Sequence, residues 1–288
     1  MNDDSTHPEP IAVGRIDFVN TAPVYHGIDS GQVTCPGRTV AAPPAELNRL
    51  LTRGKIDISA VSSAAYAHTF PRWLLLPDLS ITARGAIGSV VLARREKQPL
   101  VGRPRIGLTD KSATAQALTR LLLEDARGLQ PDYRQVNLDA GIPTDLDAML
   151  VIGDDALRLP YRETYPHITD LGAAWRAWTG LPMVFGVWAV TRTFAEHHPE
   201  ATAAVTRALQ ASRDAGLADL DGAAGRAAHR SGLPAPLCRD YLAPIDYALG
   251  PEHVRALEQF FTRLATRGEC TPDVRPAFFP LGHPATTP

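Results

Sequence analysis

The stretch 105-RIGLTDKSATAQALTRLLLED-125 changes periodicity within a few residues. Ile106 and Leu108 alternate as in a strand, residues 110–114 are polar, and Leu118, Leu121 and Leu122 then share one helical face. A strand feeding a helix through a short polar loop is the repeating unit of an α/β sheet. The same plan recurs on either side. In 56-IDISAVSSAAYAH-68, Ile56, Ile58 and Ala60 alternate before Ser62 and Ser63, which suit helix N-caps. In 147-DAMLVIGDDALRL-159 an apolar run closes on Gly153, Asp154 and Asp155.

Further out, 13-VGRIDFVNTAPVYHGI-28 places Val13, Ile16 and Phe18 near strand spacing, with Pro23 expected to end any pairing. The run 43-PPAELNRLLTRGK-55 reads as a helix: Pro44 suits its first turn, Leu47, Leu50 and Leu51 share a face, and Gly54 closes it. Two more strands are expected in 85-GAIGSVVLARR-95 and 179-TGLPMVFGVWAVTR-192. Helical patterns around 196–216 and 251–268 fill the last third, with a Pro-rich break at 234–236. Alternating strands and helices imply an α/β fold with parallel strand pairs. In open α/β sheets ligands sit outside the carboxyl ends of strands. Asn20, Ser62, Ser63, Ser112, Thr114 and Asp154 all fall at such ends, and most are neutral hydrogen-bonding groups.

Composition narrows the function classes. The 288 residues are 44% hydrophobic and 21% charged, which is ordinary for a globular protein with a sizeable core. A net charge of -2 argues against a nucleic-acid binder that works by neutralising phosphates. No run of eighteen apolar residues exists, so no membrane span is expected. The opening MNDDSTHPEP lacks the basic and apolar regions of a secretory leader, and three scattered cysteines fit free thiols in a reducing compartment. The expectation is a cytoplasmic protein.

Motifs for common chemistries are missing. The glycines of VGRPRIGL do not have the spacing of a nucleotide fingerprint. His197 and His198 stand without an HExxH, so no metal is expected, and no GxSxG elbow supports a serine nucleophile. The hydroxyl clusters have two readings. Ser62, Ser63 and Ser112 serve equally as plain helix caps, or as donors at two helix N-termini able to hold a ligand with two carboxylates. Asp154 either caps the following helix or contacts ligand. Gly180, beside Pro182, would let backbone approach a ligand closely. Asn20 either bridges a turn or faces the ligand.

Several blocks together are familiar. VGRIDFVNTAPVYHGI, GKIDISAVSSAAYA, LLLPDLSITARGAIGSVVLA, SATA, VIGDDAL and DLGAAWRAWTGLPMVFGVWAV stand in the order seen in the chorismate dehydratase family of the futalosine route to menaquinone, and the chain resembles that family over about residues 12–192. The resemblance implies a two-lobed fold like the periplasmic binding proteins of the second type, with a ligand cleft between the lobes. Lobe one would comprise 1–93 plus 193–288 and lobe two 94–192, with chain crossings near 94–100 and 189–193. It also implies the reaction: loss of water from chorismate, giving 3-[(1-carboxyvinyl)oxy]benzoate. Aromatisation drives that elimination, so no cofactor is expected.

On the same footing Asn20 is the expected catalytic residue, holding the substrate near the reacting hydroxyl or enolpyruvyl group. Ser89, Ser112, Ala113 (through its N–H) and Thr114 are expected to bind carboxylate oxygens, with Ser62, Ser63, Asp154 and Gly180 also lining the substrate site. The partner is a small dicarboxylate, with no nucleic acid or membrane. Two rival readings remain. The sister enzyme of the pathway, 1,4-dihydroxy-6-naphthoate synthase, expects paired threonines and a positioned histidine, where this loop reads DKSATAQ. A non-catalytic carboxylate-binding protein would share the fold.

Overall fold

The computed structural model describes residues 11–282; the acidic opening, read above for its lack of a leader, lies outside the described residues. The strands are β1 (Ala12–Arg15), β2 (Arg38–Ala41), β3 (Ile58–Ser62), β4 (Trp73–Ala83), β5 (Val90–Arg94), β6 (Arg105–Leu108), β7 (Asp132–Gln135), β8 (Ala148–Ile152), β9 (His167–Asp170), β10 (Met183–Thr191) and β11 (Ile245–Asp246). They form two sheets, in the orders β11-β4-β10-β3-β1-β2 and β7-β6-β8-β5-β9. Each sheet has three parallel strands, β2-β1-β3 and β7-β6-β8, followed by antiparallel ones. The two-lobed α/β architecture is therefore one plan used twice.

The crossings differ from expectation. β5 (Val90–Arg94), divided by the expected boundary, belongs wholly to the five-stranded sheet, and β10, assigned to lobe two, belongs to the six-stranded one. The chain leaves the first sheet after Ala83 and returns between Asp170 and Met183. Both strands are continuous apolar runs, which read alike in either sheet. What assigns them is pairing: Val90–Arg94 runs antiparallel to β8, and Val187 pairs with Val61. β4, largely held within a family block but not read as a strand from the sequence, is the longest described strand, with eleven residues.

β1 is also shorter than its apolar spacing suggests. It ends at Arg15, and residues 19–21 form a 3-10 turn that leads into α1 (Ala22–Asp29). Pro23 therefore starts a helix, where its missing N–H costs nothing. The helices α2 (Pro44–Thr52) and α3 (Ser63–Thr69) follow the parallel strands of the first lobe. In the second lobe α4 (Ala113–Arg120) and α5 (Gly153–Arg158) do the same, while α6 (Leu171–Thr179) follows the antiparallel β9. The chain then adds α7 (Arg192–His197), α8 (Pro199–Ala218), α9 (Leu220–Ser231), α10 (Ala235–Leu242) and α11 (Pro251–Thr266) to the first lobe.

Packing follows strand alternation. Val90 and Leu92 of β5 join the main core, while Val91 and Ala93 face a smaller one with Met149, Val151 and Tyr161. The main core runs without a break from one lobe into the other. Polar links cross between lobes too. The Ala64 N–H donates to Thr114 Oγ1 at 2.9 Å, and the Arg267 guanidinium holds Glu124 at 2.8 Å and Asp125 at 2.6 Å. Among the described residues no helix is long and apolar enough to cross a membrane.

Candidate functional site

Between the sheets lies a cavity lined by residues of both lobes, where the periplasmic-type cleft would hold a ligand. Its walls are mostly apolar: Ile16, Phe18, Ile81, Ile152, Phe185 and Trp188. The polar side chains among them are Asn20, Thr21, Ser62, Ser89, Lys111 and Ser112. Among the described residues no histidine and no carboxylate lines it.

Each polar group is placed by a local device. Asn20 is the middle residue of the 3-10 turn. Thr21 Oγ1 donates to the Ile16 and Phe18 carbonyls, and Tyr247 Oη donates to the Asn20 carbonyl at 2.9 Å, so the turn is braced on both sides. Ser62 caps α3, accepting from the Ala65 N–H at 3.3 Å, and Ser112 caps α4, accepting from the Ala115 N–H at 3.2 Å. A cap uses the oxygen of the hydroxyl and leaves its proton available. Capping and ligand binding therefore do not compete at these two positions. Ser89 ends the crossing into β5; its carbonyl accepts from the Gly153 N–H at 2.7 Å, and its Oγ lies 2.7 Å from Tyr241 Oη.

Of the residues expected at the site, Asn20, Ser62, Ser89 and Ser112 line this cavity. The others stand elsewhere. Ser63 is fully buried and donates to the Val184 carbonyl at 2.7 Å, pinning α3 to β10. Thr114 is fully buried, its Oγ1 committed to the Ala64 N–H. Ala113 is half-buried at the first position of α4, beside the cavity but not lining it. Gly180 is exposed; with φ at 75° it ends α6 through its N–H to Arg176, a stop that a residue with Cβ adopts only under strain.

Asp154 is one step removed from the cavity. Its carboxylate accepts the Val19 N–H at 3.1 Å, so it holds the Asn20 turn of one lobe against α5 of the other. Burial raises its pKa above the ordinary aspartate range, against the pull of that N–H. A raised carboxyl pKa means that the folded protein binds the proton more tightly than the unfolded chain does. Its contribution is therefore fully present at acid pH and is lost as pH climbs from the unfolded value through the folded one. Asp154→Asn keeps an acceptor for Val19 and removes the buried charge. Its melting temperature at pH 7 is expected to equal or exceed that of wild type, with the difference vanishing near about pH 3. A variant less stable at pH 7 would show that the charge itself holds the turn.

Lys111 also lines the cavity, a residue that the hydroxyl signature of its loop does not point to. Its ammonium reaches Asp155 at 2.8 Å and Asp139 at 3.0 Å. Burial opposes its charge, but these two bonds outweigh burial and raise its pKa, so it remains a cation at the cavity wall. Among the described residues no group of three His, Cys, Asp or Glu side chains stands together as a metal site would require.

Comparison with known proteins places this geometry. Residues 11–266 match the family model described as menaquinone biosynthesis. The chain is 34% identical to a chorismate dehydratase of Thermus thermophilus over 255 residues, covering 83% of this chain and 90% of that one. It is 27% identical to a 1,4-dihydroxy-6-naphthoate synthase of the same organism over 281 residues, covering 94% and 99%. Among solved structures, the periplasmic aliphatic sulphonate binding protein of Escherichia coli superimposes with a TM-score of 0.64 at 14% identity, covering 93% of this chain and 96% of that one. The fold is that of the periplasmic binding proteins, with the cavity at the cleft between lobes.

Proposed function

The chain belongs to the menaquinone-biosynthesis family, and from that premise we propose that it is a chorismate dehydratase, a carbon–oxygen lyase of the cytoplasm. It removes water from chorismate to give 3-[(1-carboxyvinyl)oxy]benzoate. One observation carries this reading above the others: the cavity presents neutral donors from both lobes, Asn20 and Ser62 from one side, Ser89 and Ser112 from the other, on largely apolar walls where the Lys111 ammonium is engaged by Asp139 and Asp155. Such a site suits a substrate that carries its own charges and, through aromatisation, its own driving force.

The elimination proceeds as follows. The C–H bond at the ring carbon bearing the ether breaks, and its electron pair becomes ring π density. The C–O bond to the neighbouring hydroxyl breaks in turn, and hydroxide leaves with the proton as water. The enolpyruvyl carboxylate of the substrate takes the ring proton, since among the described residues no histidine or carboxylate lines the cavity. That carboxylate is a weak base in water; an apolar enclosure raises its pKa and so strengthens it. The Asn20 amide holds the reacting hydroxyl or the enolpyruvyl group without titrating, while the serine hydroxyls restrain the carboxylates. Fixing both ends of the substrate selects this elimination over loss of pyruvate.

The naphthoate synthase reading is less well supported. It expects paired threonines and a positioned histidine; here DKSATAQ offers Thr114 alone, turned into the Ala64 N–H, and no histidine among the described residues lines the cavity. The direct test is to incubate purified protein with chorismate, with no metal or nucleotide added, and follow products by chromatography and mass. A product lighter than chorismate by one water is expected. Unchanged chorismate, beyond its spontaneous decay, would sink the reading.

A further inference from the structure

Tyr241 lies on α10, in the tail helices, outside the blocks that carry the family resemblance. It is buried, and its phenolic oxygen stands 2.7 Å from Ser89 Oγ. Ser89 is itself 1% exposed yet forms part of the cavity wall. Burial raises the Tyr241 pKa well above its ordinary value, so the phenol keeps its proton at any working pH. One tyrosine hydroxyl thus stands directly behind a polar group expected to meet the ligand.

Polarity decides what this arrangement does. A serine hydroxyl has one proton. If Ser89 spent it on Tyr241, only lone pairs would face the cavity, and they would repel a carboxylate, which only accepts. If Tyr241 donates instead, the Ser89 proton is free to point inward. We propose that Tyr241 is a positioning residue that donates to Ser89 Oγ, so that Ser89 presents its proton to a carboxylate of the ligand. The proposal rests on the dehydratase reading only in taking chorismate as that ligand.

The test compares wild type, Tyr241→Phe, Ser89→Ala and the double variant, measuring chorismate turnover and calorimetric affinity. Losing one donated hydrogen bond is expected to raise KM and Kd roughly 5- to 20-fold in Tyr241→Phe, with kcat within about twofold. In the Ser89→Ala background the same change should alter neither KM nor Kd by more than about twofold. An equal effect in both backgrounds, or none in either, would overturn the role. Should the phenylalanine variant fail to fold, 3-fluorotyrosine at position 241 replaces it. This stronger donor and weaker acceptor is expected to tighten chorismate binding, and looser or unaltered binding would overturn the proposal. A wild type that binds chorismate without converting it would fail the dehydratase reading and leave the coupling to be read in Kd. Wild-type turnover without coupling would fail Tyr241 alone, and a wild type that does not bind chorismate would fail both.

Discussion

Asn20→Ala is expected to lower kcat for chorismate by about 100- to 1,000-fold, the usual cost of removing one preorganised donor from a dry site. The side chain lies in the cavity wall, while the backbone of its turn is held independently. Thr21 bonds the Ile16 and Phe18 carbonyls, Tyr247 bonds the Asn20 carbonyl, and Asp154 takes the Val19 N–H. The melting temperature should therefore stay close to that of wild type. Steady-state kinetics beside a thermal melt separates the two effects. Full turnover in a folded Asn20→Ala protein would exclude Asn20 from the chemistry.

The largest effect on stability is expected from a residue far from any motif. Gly216 of α8 lies against the first turn of α1, where an added Cβ would stand 2.7 Å from Pro23 Cα and 2.8 Å from its carbonyl carbon. Gly27, one helix turn along α1, meets the Ser212 Cα in the same way. The two helices thus cross backbone to backbone, and there is no flexible side chain to yield. Gly216→Ala is expected to cost about 1–3 kcal/mol by overpacking, despite the higher helix propensity of alanine. Since Pro23 follows Asn20 by three residues, turnover should fall as well. Gly225→Ala in α9 is the control, because an added Cβ there meets nothing within 4 Å. Chemical denaturation of the two variants decides the matter: equal stabilities would refute the close crossing.

The functional loops were legible where the signal is local. Strand, polar loop and helix succeed each other in 105–125 and 56–68 because alternation and helical spacing are properties of neighbouring residues. Ser62 and Ser112 could be read as caps for the same reason, and both line the cavity as well. Ser63 and Thr114 carry the same hydroxyl signature, yet each turns into the core. Sequence shows a hydroxyl at a helix start but not the direction it points, which depends on Val184 and Ala64 across the fold.

The limits are sharpest where partners are distant. Asp154 reads as a cap or a ligand contact, and its actual partner is the N–H of Val19, 135 residues away. Tyr241 gave no signal at all, since one tyrosine in a tail helix looks like any core residue until Ser89 arrives beside it. The chain by itself determined the α/β class, the strand–loop–helix units around 56–68, 105–125 and 147–159, the family blocks and the hydroxyl-bearing strand ends. All of these are written in short-range periodicity and composition. Tertiary structure alone decided which sheet β5 and β10 join, which hydroxyls face the cleft, and which buried groups stand behind them. Those outcomes depend on pairing and burial between segments far apart in the chain, and an apolar strand or a lone hydroxyl looks the same before its partner is in place.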